Sequence, residues 1–302
     1  MTTLSGTVLT CTVTDSVAPE RLDRAALGLF GVLATLSQVR KLARKGQVCL
    51  DGEVVGPMTT ARPGQVLTIT LPPPKAVAPV AVDVPVVYLD DWLAVVDKPA
   101  GLVTSGWQRR TLAHALCGLL PSSPLPDALF QPHPVHRLDA RTRGLVLVAR
   151  TFGADASLSV AFSERRVHKR YLALLRGALT GEGVVDQPVE GQPARSRWRS
   201  LRIDPAPMTG HLTTVELWPE TGRKHQLRRH MAALGHPVLG DGRYTEEGPV
   251  LRSQGLMLAA VGLTFPHPAT REALTVQIEE PEKFRTFRER AIRRVAKTAS
   301  ST

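Results

Sequence analysis

The chain has 302 residues, of which 38 are Lys or Arg and 27 are Asp or Glu, so its formal net charge is +11. Hydrophobic residues make up 43% of the chain, which is enough for a packed core and excludes a wholly disordered protein. Collagen-like and coiled-coil chains are excluded too, because the sequence has neither glycine at every third position nor a sustained heptad. The length allows one large domain, or a large domain with a small one.

The cysteines and the apolar segments indicate a soluble cytoplasmic protein. Cys11, Cys49 and Cys117 are far apart and form no Cys-x-x-Cys pair, so we expect neither a disulfide framework nor a thiolate zinc site. The N-terminus lacks the basic and apolar regions of a signal peptide. The longest apolar run, residues 255–265, is too short to span a bilayer. We therefore expect no membrane association.

The positive charge attracts polyanions, with nucleic acid as the first candidate. The C-terminal segment 281–302 has seven basic and two acidic residues, a net charge of +5. The segment RSRWRSLR (195–202) places four arginines around a tryptophan, a combination that suits phosphate pairing and base stacking. It predicts RNA binding by Arg195, Arg197 and Arg199. A solvated basic surface is the alternative for both segments.

The first seventy residues predict two helices followed by a small sheet. Apolar spacing favours a helix over 20–30, and Ser37 is a candidate N-cap for a second helix that ends at Gly46. The dipeptide Asp51-Gly52 predicts a hairpin turn. A further strand is expected at Val66 to Leu71.

This segment resembles the "S-four" RNA-binding module, first described in a small-subunit ribosomal protein. The match covers RLDRAAL, SQVRKLARKGQVCLDGEVV and RPGQVLTITL, a core of about residues 19–71 in a domain that we place at 1–75. The resemblance implies that the second helix contacts RNA phosphates. A generic αβ domain with a solvated basic helix is the alternative. The implied RNA-binding residues are Arg40, Lys41, Arg44 and Lys45.

Three consecutive prolines predict an extended linker over residues 72–85. In the second domain, 86–302, strands and helices mix without a regular βαβ alternation, which predicts an α+β fold with a mainly antiparallel sheet. The expected elements are a hairpin over 86–99, helices at 111–119, 155–167, 223–234 and 282–297, and strands at 145–149, 171–175, 211–218 and 275–278.

Motif absences exclude several chemistries. The sequence has no GxxxxGK[ST], HExxH or GxSxG motif and no convincing GxGxxG, and the five-residue spacing of His225 and His230 gives no reason to expect a metal. Two polar segments remain: HRLDARTRG runs into a predicted buried strand, and GRKHQLRRH opens a predicted helix. An Asp and an Arg from these segments could form a nucleophilic site or a structural ion pair. The spacing leaves both interpretations open.

The segment HRLDARTRGLVLVAR resembles the catalytic motif of the RluA-type pseudouridine synthases. Three further stretches match that family in order: DKPAGLV from Asp97, KRYLALLRG from Lys169, and TGRKHQLRRHMAALGHPVLGDGRY over 221–244. An appended S-four module is common in this family. One departure is Arg143, where the family usually has a small serine before Gly144.

The resemblance implies an enzyme that converts uridine in RNA to pseudouridine. This isomerisation is redox-neutral and the departing uracil delocalises its charge, so we expect neither a cofactor nor a metal. The implied catalytic residues are Asp139 as the nucleophile, Tyr171 as the ring that stacks on uracil and moves the C5 proton, and Arg228 as the partner of Asp139. The implied substrate-binding residues are Arg137, which fills the space left by the flipped-out base, with Leu227, Lys169, Thr142 and a mainly structural His136.

Other functions share these features. A non-catalytic RNA-binding or ribosome-assembly protein is one alternative, and another uridine-directed enzyme such as a nucleosidase is a second. The intact set of Asp139, Tyr171 and Arg228 favours the synthase, because a binding protein has no need of all three. The family's common target is large-subunit ribosomal RNA, with transfer RNA as the alternative. Whether Asp139 attacks C1′ or assists C2′ deprotonation stays open, and we expect a monomer with no obligate protein partner.

Overall fold

The computed structural model describes residues 7–13, 19–29, 36–71, 80–245 and 254–299. Regular structure lies in two sheet-based units on either side of the predicted linker. Residues 80–85 of that linker have no regular secondary structure, and its residues 72–79 lie outside the described part of the chain.

The N-terminal unit has two helices and two small antiparallel sheets. Its elements in chain order are β1 (Thr7–Thr12), β2 (Glu20–Arg21), α1 (Leu22–Leu29), α2 (Leu36–Arg44), β3 (Val48–Leu50), β4 (Glu53–Val54), β5 (Thr60–Ala61) and β6 (Val66–Leu71). One sheet has the order β1-β6-β3-β4, and β2 pairs with β5. The unit is longer than the predicted core of 19–71, because β1 pairs with β6 along its whole length.

Local sequence explains most of this unit. Asp51 and Gly52 have φ values of 51° and 86°, the left-handed pair that a tight two-residue hairpin requires. The helices bury their apolar faces, including Leu22 and Val39, against the sheet. The predicted cap at Ser37 is wrong: α2 already begins at Leu36, so Ser37 lies inside the first turn.

The C-terminal unit is built on one ten-stranded sheet. Its elements are β7 (Val86–Leu89), β8 (Leu93–Lys98), α3 (Leu112–Leu119), β9 (Ala128–Pro134), β10 (Arg143–Thr151), α4 (Phe152–Ser163), β11 (His168–Arg176), β12 (Glu182–Asp186), β13 (Arg195–Ala206), β14 (Gly210–Pro219), α5 (Gln226–Ala233), β15 (Leu258–Pro266), β16 (Ala273–Gln277) and α6 (Glu282–Ala299). The main path is β12-β13-β14-β11-β15-β10-β8-β7, with β16 on β15 and β9 on β10.

The predicted α+β class is confirmed. The strand pairs of this sheet are antiparallel, except that β10 and β15 run parallel over two residue pairs. At that contact Gly144 has φ 130°, and a Cβ there would lie 2.1 Å from the carbonyl oxygen of Ala260. Only glycine therefore lets β10 approach β15 at the point where the motif HRLDARTRG enters the sheet.

The sequence pattern missed four strands of this sheet and misplaced two helix starts. Strands β9, β12, β13 and β15 were not predicted, and in β13 charged outward residues obscure the apolar alternation. Helix α4 begins at Phe152 instead of Asp155, because the Thr151 hydroxyl accepts the backbone N–H of Ala154 at 3.1 Å. Helix α5 begins at Gln226, three residues later than predicted. Among the described residues, no helix is both long and apolar enough to cross a membrane.

Candidate active site

One cavity of about 360 Å³ brings together the residues that the sequence singled out. It lies between the loop before β10, strand β11, the end of β14 and the start of α5. Its walls include every catalytic and substrate-binding residue that the resemblance implied: His136, Arg137, Asp139, Thr142, Lys169, Tyr171, Leu227 and Arg228.

The loop that presents Asp139 is held by a buried lysine. Lys98 is fully buried and its ammonium group donates to the carbonyl oxygens of Leu102 at 2.8 Å, Pro99 at 3.0 Å and Ala140 at 3.3 Å. Burial lowers the pKa of Lys98 to about 8, although the negative charges of Asp139 and Asp97 partly offset this effect. The lysine is therefore charged at neutral pH and fixes the residue next to Asp139.

A second anchor lies on the other side of Asp139. The Thr104 hydroxyl donates to the carbonyl oxygen of Leu138 at 3.0 Å and accepts the Leu138 N–H at 3.1 Å. The backbone oxygen of Asp139 itself accepts the N–H of Thr142 at 3.0 Å. Both neighbours of Asp139 are thus fixed to the DKPAGLVT segment, which leaves only the side chain to adjust.

Arg228 faces Asp139 but is held by another carboxylate. Its Nε and Nη2 atoms donate to Asp241 at 2.6 and 2.7 Å, and its Nη1 atom lies 3.7 Å from Asp139 Oδ2. Asp241 is 1% exposed. Burial alone would raise the pKa of Asp241, but the hydrogen bonds from Arg228 and from the Arg243 backbone N–H lower it below its usual value. The guanidinium of Arg228 is therefore held in place by Asp241, with Nη1 facing Asp139.

His225 is a second partner of Asp139, which the sequence did not reveal. Its backbone is left-handed (φ 56°), its Nε2 lies 3.7 Å from Asp139 Oδ2, and its Nδ1 lies 2.8 Å from the Tyr244 hydroxyl. Arg229 Nε donates to that hydroxyl at 3.1 Å, an arrangement that favours donation of the hydroxyl proton to Nδ1. A neutral His225 consequently carries its proton on Nε2, towards Asp139.

The electrostatic environment keeps His225 neutral. Burial lowers its pKa, and the nearby charges of Arg228, Arg243 and Lys224 lower it as well, while Asp139 opposes them. The Tyr244 ring contacts the guanidinium groups of Arg228, Arg229 and Arg243 at 5.1, 5.2 and 5.6 Å. The hydroxyl bonded to His225 is therefore fixed within a cationic cluster.

Tyr171 closes the apolar side of the cavity. It is buried on β11 in the same apolar cluster as Leu138 and Leu227. Burial, with a contribution from the charge of Asp139, raises the pKa of Tyr171 above its usual range. The phenol is therefore neutral at physiological pH, and the site can use its ring as a stacking surface and its hydroxyl as a donor.

His136 and Lys169 line the same wall. His136 Nε2 accepts the backbone N–H of Leu147 at 3.0 Å, and its ring lies 4.9 Å from that of Phe162. Burial, with a smaller effect of the charge on Lys169, lowers the pKa of His136 to about 3. Burial also lowers the pKa of Lys169. His136 is thus bonded to the backbone of β10, and its structural role stays a prediction.

The departure at Arg143 has a local explanation. Its guanidinium turns away from the cavity walls and binds the carboxylate of Asp97, with Nη2 2.7 Å and Nε 3.1 Å from Oδ2. Arg143 is thus a link between β10 and β8.

Arg137 lines the cavity with an exposed side chain.

The arginines of β13 face outward and have acidic partners. Arg195 and Arg197 pair with Glu220 at 3.3 and 3.2 Å, and Arg199 pairs with Glu216 at 2.6 Å. The expected platform around Trp198 does not form, because alternate residues of a strand point to opposite faces. Trp198 packs against the core. The tryptophan beside Arg197 and Arg199 is Trp218 on β14, at 5.8 and 5.7 Å.

The four basic residues predicted to bind RNA divide into two groups. Arg40 Nε donates to the buried Asp23 at 2.6 Å, so this arginine has an internal partner. Lys41 and Arg44 on α2, and Lys45 in the turn directly after it, have exposed side chains. The residues available to RNA are therefore the last three.

Within the described ranges, no group of three or more His, Cys, Asp or Glu side chains is arranged to hold a metal ion. The site residues that the sequence did not reveal are Lys98, His225, Asp241 and Tyr244. All four lie inside the matched motif segments, but their roles depend on contacts made by the fold. A lysine directly before Pro-Ala-Gly gives no sign of its three carbonyl partners.

Comparisons with known proteins identify the family of the chain. The family model for RNA pseudouridylate synthase matches residues 92–233. Ribosomal large subunit pseudouridine synthase D of Xanthomonas campestris pv. campestris is 33% identical over 296 residues, which cover 89% of this chain and 88% of the relative. tRNA pseudouridine synthase C of Pasteurella multocida is 35% identical over 221 residues, which cover 63% of this chain and 89% of the relative.

A solved structure supports the same assignment. The human RNA Pseudouridylate Synthase Domain Containing 1 is 29% identical and superimposes with a TM-score of 0.55, covering 69% of this chain and 86% of that chain. The chain belongs to the RluA-type family of RNA pseudouridine synthases, isomerases that act on RNA. The family predicted from the four sequence motifs is therefore confirmed.

Proposed function

We propose that the protein isomerises specific uridines of large-subunit ribosomal RNA, with Asp139 as the nucleophilic carboxylate. The observation that carries this proposal is the single cavity in which Asp139, Tyr171 and Arg228 meet. Supporting evidence for the target is that relatives across most of the chain are named as large-subunit synthases.

The reaction breaks the bond between uracil N1 and ribose C1′, turns the base, and joins C5 to C1′. In our proposal the target uridine leaves its stack and enters the cavity, where Tyr171 and Leu227 contact the base. Arg137, on the exposed wall, fills the vacated position in the RNA. Thr142 and Lys169 support the pocket, and Arg228 and His225 hold the Asp139 carboxylate against the sugar.

Either route at the sugar uses the same carboxylate. If Asp139 attacks C1′, it forms a covalent ester that C5 of the turned base later displaces. If it removes the C2′ proton, uracil leaves by elimination and then adds back. In both routes C5 loses its proton after the new bond forms and N1 of the base gains one, and we propose that the neutral Tyr171 hydroxyl relays this transfer.

We also propose that the N-terminal unit is an S-four-like module that binds RNA through Lys41, Arg44 and Lys45. Support comes from the exposure of these side chains, of which Lys41 and Arg44 lie on α2 and Lys45 directly follows it. Binding to ribosomal RNA would place the protein in the cytoplasm, and we expect it to act as a monomer.

The experiment is to map pseudouridines, site by site, in total RNA from cells with and without this protein. We expect one or more sites in large-subunit ribosomal RNA to disappear and to return when the wild-type protein is restored. Loss of sites only in transfer RNA would support the alternative target. An unchanged map in both RNA classes, with no isomerisation by the purified protein, would contradict the proposal.

A further inference from the structure

A second cavity, of about 820 Å³, opens beside the catalytic one. The two cavities share six lining residues, among them Lys169, Thr221 and Arg223. The second cavity is therefore continuous with the catalytic site and has more than twice its volume. We call it the basic groove. Its charged lining residues are Arg165, Lys169, Arg197, Glu220 and Arg223, beside the rings of Phe162, His168 and Trp218.

The groove is strongly positive. Three arginines and one lysine line it, against one acidic side chain, Glu220, among the described residues. Glu220 already pairs with Arg195 and Arg197. Arg197 and Trp218 are direct cross-strand partners, and the guanidinium lies 5.8 Å from the centre of the ring. This contact holds the arginine in place at the groove before any ligand binds.

Arg165 is placed in the groove against local backbone preference. It follows α4 with φ 58°, in a left-handed helix end where glycine is the usual residue. Its N–H donates to the carbonyl oxygen of Phe162 at 3.1 Å. An arginine at this position conflicts with local propensity, and such conflicts concentrate where a side chain serves function. Arg166, the next residue, does not line the groove and pairs with Glu164 at 2.7 Å.

We propose that the basic groove binds the phosphates of the RNA strand that continues from the target uridine, through Arg165, Arg197 and Arg223. This inference rests on the proposed function and adds the path of the substrate. A strand leaving the catalytic cavity must pass one of its openings, and this opening has cationic side chains on several walls. Arg223 is common to both cavities, which suits a contact with the phosphate nearest the flipped nucleotide.

The test compares groove variants with a neighbouring control in the full-length protein. The probe is a fluorescein-labelled single-stranded uridine oligonucleotide, and its affinity is measured by anisotropy over a series of salt concentrations. Arg165→Ala and Arg197→Ala should each weaken binding by about tenfold, which is ~1.4 kcal/mol. Each should also reduce the slope of log affinity against log salt by about 0.7.

Arg166→Ala is the matched control, because it removes the same charge one residue away but outside the groove. It should change the affinity less than twofold and leave the salt slope unchanged. Glu220→Gln should have the opposite effect and increase the RNA affinity a few-fold, because it removes the negative charge from the groove.

If Arg165→Ala, Arg197→Ala and Arg166→Ala weakened RNA affinity equally, phosphate binding by the basic groove would be refuted, since net charge alone would then explain binding. Unchanged affinity in both groove variants would overturn it as well. Either result, with normal isomerisation by the wild-type protein, would leave the proposed function intact. Absence of pseudouridine formation by the wild-type protein would instead remove the proposed function on which the inference rests.

Discussion

The clamp on Arg228 makes a quantitative prediction for Asp241→Asn. The substitution keeps the shape of the side chain but replaces a buried carboxylate, bonded at 2.6 and 2.7 Å, by a neutral amide. Removing one partner of a buried ion pair leaves the other charge uncompensated and costs about 3–5 kcal/mol. We therefore expect the free energy of unfolding to fall by about 3 kcal/mol.

The same variant should lose activity. Without Asp241 the guanidinium of Arg228 is free to rotate, and its Nη1 no longer has a fixed place beside Asp139. A displacement of about 1 Å at a catalytic group costs roughly 100-fold in rate. Urea denaturation and single-turnover pseudouridine formation, with the variant kept well below its unfolding midpoint, measure the two effects separately.

Asp204→Asn is the matched control. Asp204 is also a buried carboxylate with arginine partners, Arg202 at 2.6 Å and Arg288 at 3.8 Å, but it lies on β13 and does not line the catalytic cavity. It should lose stability without losing turnover. If Asp241→Asn kept both its stability and its turnover, or lost stability alone, the positioning of Arg228 by Asp241 would be refuted.

Three further predictions concern neighbours of the site. His136, with its pKa lowered to about 3, stays unprotonated in the fold, while the unfolded chain takes up a proton near pH 6.5. The free energy of unfolding should therefore fall as pH drops from 6.5 towards 3, by up to about 1.4 kcal/mol per pH unit. The difference in this pH dependence between the wild-type protein and His136→Asn measures the contribution of His136. Lys98→Met removes three hydrogen bonds and should cost about 3 kcal/mol in urea denaturation, an effect that a loss below 1 kcal/mol would contradict. Tyr244→Phe should slow turnover about tenfold and shift the pH–rate profile with little loss of stability, whereas an unchanged profile would exclude the proton arrangement at His225.

Sequence patterns predicted the parts of the fold that depend on local chemistry. The strand β14, the Asp51-Gly52 turn and the buried run in β10 were each predicted from neighbouring residues alone, and each is present. Ser37 shows the limit of this reasoning, because a good capping residue does not fix the first residue of a helix. The starts of α4 and α5 depend on the side-chain contacts of Thr151 and Gln226.

Contacts between distant segments were not predictable from periodicity or spacing. The pairing of Arg197 with Trp218 depends on the register of β13 against β14, which the sequence does not specify. The sequence therefore grouped the arginines with Trp198, which points to the other face. The clamp between Arg228 and Asp241 likewise required a loop to return to α5. The catalytic set was found through family resemblance, since spacing alone allowed a structural ion pair.

The most direct test of the account is the turnover of Asp139→Asn. Asp139 has a side chain that is 29% exposed and lies 3.7 Å from Arg228, so an isosteric amide should be tolerated by the fold. We predict an unfolding midpoint and RNA affinity close to those of the wild-type protein, with pseudouridine formation at background. Turnover within tenfold of the wild-type rate would contradict the role of this carboxylate and with it the proposed mechanism.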